Sequence, residues 1–375
     1  MSDNLYSKIL ATINQRPSPF AEYMEMCLYD PEYGYYNSRD FNIGSQGDFF
    51  TSASVADDFA ELIAEQFKQW IELFNQPFTI VEMGAGNGNL AQNILNYLQA
   101  KYPTIYSLIN YIIIEKSNVL IKRQQENITH GGVRWLTWED VEDNSIIGCF
   151  FSNELFDALP VHKVVKKDGQ LKEIFVTYQD NQIKEEIEHI STVEIKEYFA
   201  ENKINLTDES YPEGYETEVN LSALHLVTKI SQKLKKGYVL TIDYGYHAPK
   251  YYHPQRSQGT LKCYYQHRHH NNPYVNIGKQ DITAHVNFTA LEITGTKKGL
   301  ENLGFTSQAL FLMALGLGER LRALSENPDL SIADIWHRRN QLHELINPEG
   351  LGGFGVLLQS KNLTPQEMSY SSFSH

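Results

Sequence analysis

The chain has 375 residues, 42% of them hydrophobic, which is enough for a sizeable core and more than one simple core needs. Its net charge of −14, from 32 basic against 46 acidic residues, argues against a nucleic-acid or anionic-membrane surface and favours a basic partner. Cys27, Cys149 and Cys263 are too few and too widely spaced for a disulfide framework or a CxxC metal site. Residues 1–20 show neither an apolar signal core nor an arginine-rich, acid-free transit segment, and no run is long enough to span a membrane. A cytoplasmic protein is expected.

From Leu5 to Leu28 apolar residues recur at helical spacing on either side of Pro17 and Pro19, which predicts two helices followed by a turn-rich aromatic stretch, Tyr29 to Tyr36. Gly47 and Asp48 open a loop. Thr51 or Ser52 can cap the next helix, buried on one side through Val55, Phe59, Leu62, Ile63, Phe67 and Trp70.

Phe78 to Leu90, FTIVEMGAGNGNL, then reads as strand, glycine loop and helix. Gly84, Gly86 and Gly88 allow a sharp turn and a close ligand approach. Asn89 stands where a dinucleotide fingerprint wants its third glycine, and Glu82 lies two residues before the first. A carboxylate there suits a cationic ligand better than a diphosphate, which prefers a bare helix N-terminus. S-adenosylmethionine, with a sulfonium, an ammonium and no phosphate, fits on charge grounds; a dehydrogenase fits less well. The next run, YIIIE, ends in Glu115, placed either to hold ribose hydroxyls at the carboxyl edge of a sheet or as a solvated strand end. A helix over Val119 to Ile128 and a short strand over Val133 to Leu136 follow, the strand ending near Trp138, either a stacking wall for a base or a core residue.

Ile146 to Phe151 is a fourth strand that delivers Ser152, Asn153 and Glu154 to the edge beside the first. Methyl transfer from a sulfonium is an in-line displacement, so an enzyme has to orient a nucleophile and receive a proton. Glu154 and Asp157 could grip a guanidinium, and Asn153 could bond an amide or ring nitrogen. The plainer reading makes NELFDALP a helix start, capped by Asn153 and stopped by Pro160.

Val161 to Tyr178 alternates around Asp168-Gly169, the signature of a hairpin, and Ile183 to Ile204 is loosely helical. His162 is either a base near the site or a packing residue. Glu218, Val219 and Asn220 are expected to begin a helix that runs to Gly237; Tyr238 to Asp243 is then a fifth strand, bringing Asp243 and Tyr244 to the edge. His247, His253, His267, His269 and His270 cluster without a zinc-type spacing, so no metal is expected. Asp281 to Phe288 reads as strand-like, Leu291 to Leu303 and Ala309 to Leu324 as helices, Gly353 to Gln359 as the strand that closes the sheet, and Thr364 to His375 as a polar tail. The fold expected is α/β, a Rossmann-like sheet. Its segments are an N-terminal helical region (1–75), the first half of the core (76–160), an inserted hairpin and helical region (161–215), the second half with helical substrate-side additions (216–362) and the tail (363–375).

GDFFTSASVADDFAE (47–61), VEMGAGNG (81–88), SNELFDALPVH (152–162), IDYG (242–245) and DITAHVNF (281–288) occur in that order, and together resemble the MidA-like family of S-adenosylmethionine-dependent methyltransferases. The resemblance covers about Pro19 to about Gln359. It implies an N-terminal lid over the cofactor, cofactor contacts from Gly47, Asp48 and Thr51 as well as Glu82, Gly84, Gly86, Gly88, Glu115, Trp138 and Asn153, and an arginine-bearing protein acceptor. It also points to acceptor recognition by the histidines after His247. Glu154, Asn153 and Asp157 are then the expected catalytic residues. The alternatives are a cofactor-binding assembly factor that works through partner contacts, or a small-molecule methyltransferase. A homodimer is possible.

Overall fold

Residues 2–38, 57–266, 268–326 and 331–369 are described by the computed structural model. Gly47, Asp48, Thr51, Ser52 and His267 lie outside them. The apolar runs Phe78–Met83 (β1), Ile109–Ile114 (β2), Val133–Leu136 (β3), Ile146–Asn153 (β4) and Leu234–Asp243 (β5) pair in parallel, and Glu301–Ser307 (β6) and Gly355–Lys361 (β7) complete a seven-stranded sheet. The order is β6-β7-β5-β4-β1-β2-β3, with β7 antiparallel to both of its neighbours. The chain reverses its direction of travel across the sheet between β1 and β4, and ligand crevices of open α/β sheets form at the carboxyl ends of such a switch point.

The helices that cover the sheet and extend it are Ser2–Ile13 (α1), Phe20–Tyr29 (α2), Asp57–Phe74 (α3), Asn89–Lys101 (α4), Asn118–Asn127 (α5), Leu221–Lys233 (α6), Phe288–Lys297 (α7), Gln308–Ala314 (α8), Leu317–Glu326 (α9) and Ile332–Ile346 (α10). Successive side chains of β1 point to opposite faces. Ile80 joins Phe67 and Trp70 of α3 and Ile94 and Leu98 of α4, whereas Val81 joins Val227 and Ile230 of α6 and Leu291 of α7. Burial on both faces explains the nearly unbroken apolar runs, each fully buried large side chain contributing about 1.5–3 kcal/mol. Trp70 stacks on Tyr238 of β5 at 4.2 Å.

A second sheet contains Ser18–Pro19, His162–Lys167, Gln170–Gln179, Gln182–Glu188 and Glu216–Val219, with α1 and α2 packed nearby through Leu5, Ile9, Phe20 and Leu28 against Val161 and Val176. Asp168 and Gly169 make the expected hairpin turn, both with positive φ.

Six expectations change. Gln182–Glu188 is a strand, because Ile183 and Ile187, spaced as on a helix, also share one face of a strand and pair with Tyr178 and Ile174; the helix is confined to Glu194–Glu201. Glu218 and Val219 pair with Lys163 and His162 in the second sheet, and the helix begins at Leu221, where the Asn220 side chain accepts from the Ala223 amide. That helix ends at Lys233; Gly237 lies inside β5, where a Cβ would stand 1.8 Å from the Gly148 carbonyl oxygen. The helix expected to reach Leu303 stops at Lys297, before Gly299 at φ 88°, so Glu301–Ser307 becomes the edge strand and β7 an inner one. Gly316 at φ 99° divides Ala309 to Leu324 into α8 and α9. Residues 154–159 form a turn, so NELFDALP does not start a helix.

Candidate functional site

At the carboxyl end of β1, Glu82 is 3% exposed and its Oε2 accepts a 2.7 Å hydrogen bond from the Tyr111 hydroxyl of β2. Burial pushes its carboxyl up to about 7 against that bond, and the neighbouring Glu115 charge adds to the rise. Gly84, Gly86 and Gly88 have φ of 68°, 55° and 85°, and a Cβ on Gly84 would press 2.8 Å from Leu155 Cδ1. The positive φ therefore favours glycine at Gly84.

The Gly84 amide donates to the Ile114 carbonyl at 3.0 Å, which sets Glu115 beside the loop. Glu115 Oε1 accepts from the amides of Lys116 (2.8 Å) and Ser117 (2.9 Å), and Oε2 from Gln124 Nε2 (3.2 Å). Burial raises its pKa even so. Gln124, fully buried on α5, also donates to the Gly86 carbonyl at 2.9 Å and accepts from Trp135 Nε1 at 2.9 Å, tying the loop, the second carboxylate and β3 together. Neither Tyr111 nor Gln124 was picked out from the sequence. The available signals were a tyrosine inside an otherwise aliphatic strand and a glutamine on the inner face of α5. Trp138, half-buried after β3, lies parallel to Phe150 with ring centroids 6.0 Å apart, so one face of the indole packs on the sheet.

The N-terminal aromatic segment bridges this region to the next. Ser117 Oγ donates to the Tyr36 carbonyl, Tyr29 donates to the Ala158 carbonyl, and Tyr36 donates to Asp281 Oδ1 at 2.8 Å.

On the other side of β1, Asn153 of β4 pairs with Ile242 of β5, and Glu154 turns away with φ 54°. Asn153 Nδ2 donates to Glu154 Oε1 at 3.0 Å, while Asn153 Oδ1 is buried without a hydrogen-bond partner. Asp243, fully buried, shapes the turn: its Oδ2 accepts from the amides of Leu155, Phe156 and Asp157 at 3.1, 2.8 and 3.3 Å, and its Oδ1 accepts from the Tyr244 amide. Asp157 is 5% exposed, and its Oδ1 has no hydrogen-bond partner. Burial raises Asp157 to about 6, with the Tyr244 hydroxyl holding it back; burial also raises Asp243, and the charges of Asp157 and Glu154 reinforce that rise.

Glu154, Asp157, Tyr244, Tyr264 and His285 line a cavity of about 970 Å3, together with residues of α10 and of the segment 348–354. Glu82, Glu115 and the glycines are not among its lining residues. The loop region and the cavity are therefore successive compartments, with the β4 turn between them. His285 stands edge-on to Tyr244 at 5.0 Å, and its Nδ1 is buried without a hydrogen-bond partner. Burial lowers its pKa to about 4, helped by Arg256, Lys262 and Lys250, so the imidazole is neutral at physiological pH. His285 was not singled out although DITAHVNF was, because a lone histidine between strand residues carries no pattern of its own.

The expected histidines diverge. His247 approaches Glu292 at 3.4 Å, His253 Nδ1 accepts from the Gln255 amide, and His269 lines the cavity. Among the described residues no three His, Cys, Asp or Glu side chains are grouped to hold a metal. His162 Nδ1 lies 2.7 Å from buried Glu173, away from the cavity.

Residues 62–306 match a protein family described as "Putative S-adenosyl-L-methionine-dependent methyltransferase". The chain belongs to this family. Relatives of this methyltransferase include the mitochondrial protein arginine methyltransferase NDUFAF7 homolog of Drosophila melanogaster, 28% identical in an alignment of 366 positions, gaps included, that covers 88% of this chain and 79% of the relative. The human NDUFAF7 protein is 27% identical in an alignment of 385 positions, gaps included, that covers 92% of this chain and 81% of its own. A Burkholderia thailandensis structure solved with S-adenosyl-homocysteine bound has a TM-score of 0.86 at 30% identity, covering 98% of this chain and 95% of that one.

S-adenosylmethionine is the cofactor of this methyltransferase, and the first compartment suits it chemically. Its loop turns through positive φ at Gly84, Gly86 and Gly88, and Glu82 and Glu115 supply acceptors for a cationic, hydroxyl-bearing ligand. The methyltransferase family displaces the dehydrogenase alternative, in line with Asn89 replacing the glycine a dinucleotide site needs.

Proposed function

We propose that this methyltransferase modifies a nitrogen of an arginine side chain presented by a protein. One observation carries the reading: Asp157 Oδ1, buried and without a hydrogen-bond partner, belongs to a carboxylate-rich cavity directly beyond the β4 turn. A buried acceptor left unsatisfied costs about 1–3 kcal/mol, a cost recovered when a donor-rich ligand enters. His285 Nδ1 is a second such atom in the same cavity. A guanidinium offers five N–H donors in a plane and no acceptor, so it can meet both. The names of the relatives support the same acceptor.

The cofactor supplies an electrophilic methyl group on a sulfonium. Glu82, ionised, holds positive charge at the end of β1, and Glu115 keeps lone pairs for hydroxyl groups. Asn153 spans the two compartments. Glu154 and Asp157 grip the guanidinium and leave one nitrogen facing β4. Methylation of that nitrogen releases one proton, which Asp157 Oδ1 receives, its pKa of about 6 placing it near the working pH. Neutral His285 orients the guanidinium by accepting an N–H. Trp138, with one indole face on Phe150, is the proposed wall for the base, and Gly47, Asp48 and Thr51 are proposed cofactor contacts. The proposed compartment is the cytoplasm.

Calorimetric titration in saturating S-adenosyl-homocysteine tests the acceptor pocket. N-acetyl-arginine methylamide should bind at least tenfold more tightly than its lysine counterpart, and Asp157→Asn should abolish the preference. Equal binding of the two probes to the wild type contradicts the assignment.

A further inference from the structure

The helix α10, which lines the cavity, has a second face whose large apolar side chains are exposed. On α10, Leu342 and Leu345 are buried in the core, whereas His337, Asn340, Gln341 and Glu344 line the cavity. At 100° per residue, Ile332 and Trp336 fall on the side of the cavity face opposite the buried one. Trp336 is one turn from Asn340 and therefore sits at the cavity rim. It is 66% exposed and Ile332 is 77% exposed. Leu310 and Met313, 65% and 46% exposed, lie on α8, which packs against α10. Among the described residues nine large hydrophobic side chains are exposed, and these four are concentrated on two adjoining helices rather than scattered. An exposed tryptophan with aliphatic neighbours is a signature of a protein-binding surface.

The charge beside this face indicates what covers it. The cavity lining holds five carboxylates, Glu344 and Glu349 on the α10 side among them, against two cations, Lys250 and Arg268. We infer that Trp336 and Ile332 form a docking rail for the protein acceptor, gripping apolar side chains that flank the target arginine while the arginine itself enters the cavity. This rests on the arginine reading above. The eight residues from Asn340 to Ile332 rise about 12 Å, close to the distance between an extended chain's residue and the fourth one along, about 13 Å. The acceptor thus presents apolar residues two and four positions from the arginine. This surface selects the protein, and the cavity selects the side chain.

The test uses full-length protein with S-adenosyl-homocysteine and two nonapeptides, Ac-Leu-Gly-Leu-Gly-Arg-Gly-Leu-Gly-Leu-amide and its counterpart with every leucine replaced by serine. Trp70 is buried and Trp135 and Trp138 are half-buried, so emission from the exposed tryptophan reports on Trp336. The leucine peptide should bind at least tenfold more tightly than the serine peptide and shift emission to the blue. Trp336→Ser should bring its affinity down to that of the serine peptide, which the substitution leaves unchanged. Equal affinities of the two peptides for the wild type, or a preference that survives Trp336→Ser, overturn the docking rail and leave the arginine reading standing. A leucine preference that persists when lysine replaces arginine at equal affinity sustains the rail and removes the arginine reading. Failure of both peptides to bind removes both. Sedimentation showing a dimer that Trp336→Ser dissociates assigns the face to a second copy of the chain and overturns the proposal.

Discussion

Two carboxylates, Glu82 and Asp157, carry most of the proposed chemistry, and burial displaces both toward neutrality. Glu82, raised to about 7, must be ionised to hold a cationic cofactor. Between pH 8 and pH 6 its ionised fraction falls about tenfold, so the dissociation constant of S-adenosylmethionine should rise about tenfold over that range. Glu82→Gln should weaken binding and flatten the profile; isothermal titration at the two pH values reads both. Asp157 behaves differently because no partner meets its Oδ1. Its folded pKa, about 6, lies above its ordinary value, so its favourable contribution is complete below about pH 4 and is lost as pH rises through 6. Asp157→Asn should therefore leave the melting temperature of the cofactor-free protein unchanged at pH 4 and raise it at pH 8, with a gain in stability of about 3 kcal/mol. The residue that costs stability is the one proposed to receive the proton.

At the scale of elements, β1 with its glycine loop and α4 was fully legible, because a doubly buried strand, three alternating glycines and a helical apolar stripe all state the same geometry locally. The β4 turn was legible as a position but not as a shape. Its form depends on Asp243, nearly ninety residues away, bonding three successive amides. Glu218 was misplaced for a related reason: its carboxylate accepts from the Thr260 and Leu261 amides, which helix-cap logic cannot foresee. Edge strand β6 was hidden because Leu300 and Leu303 continue the helical spacing of α7, and only Gly299 marks the break. The close approach of β5 to β4 gives a sharp expectation. Gly237→Ala forces a Cβ to 1.8 Å from the Gly148 carbonyl oxygen at φ 139°, so strands must separate. A loss of about 2–4 kcal/mol in urea unfolding is expected, and a loss below 0.5 kcal/mol would show that the pair yields freely.

Across the whole molecule, the two compartments belong to different parts of the chain. The first half of the core builds the glycine loop, whereas the cavity combines the turn after β4, the segment 244–285, α10 and the segment 348–354. Buried Asp58, at the start of α3, joins these parts by accepting from Arg320 of α9 and Arg338 of α10. Sequence reading reached the first compartment because its residues are contiguous, and it found the acidic pair Glu154 and Asp157 for the same reason. It did not reach α10, whose cavity residues acquire meaning only through tertiary packing.

The most direct measurement is transfer of radiolabelled methyl from S-adenosylmethionine into a lysate of cells lacking the protein, comparing wild type with Glu154→Gln, followed by acid hydrolysis and amino-acid analysis. Label recovered in methylarginine from a discrete protein band, and reduced at least a hundredfold by Glu154→Gln, is the predicted result. Label confined to small molecules, or label in methylarginine that Glu154→Gln leaves intact, would contradict the account.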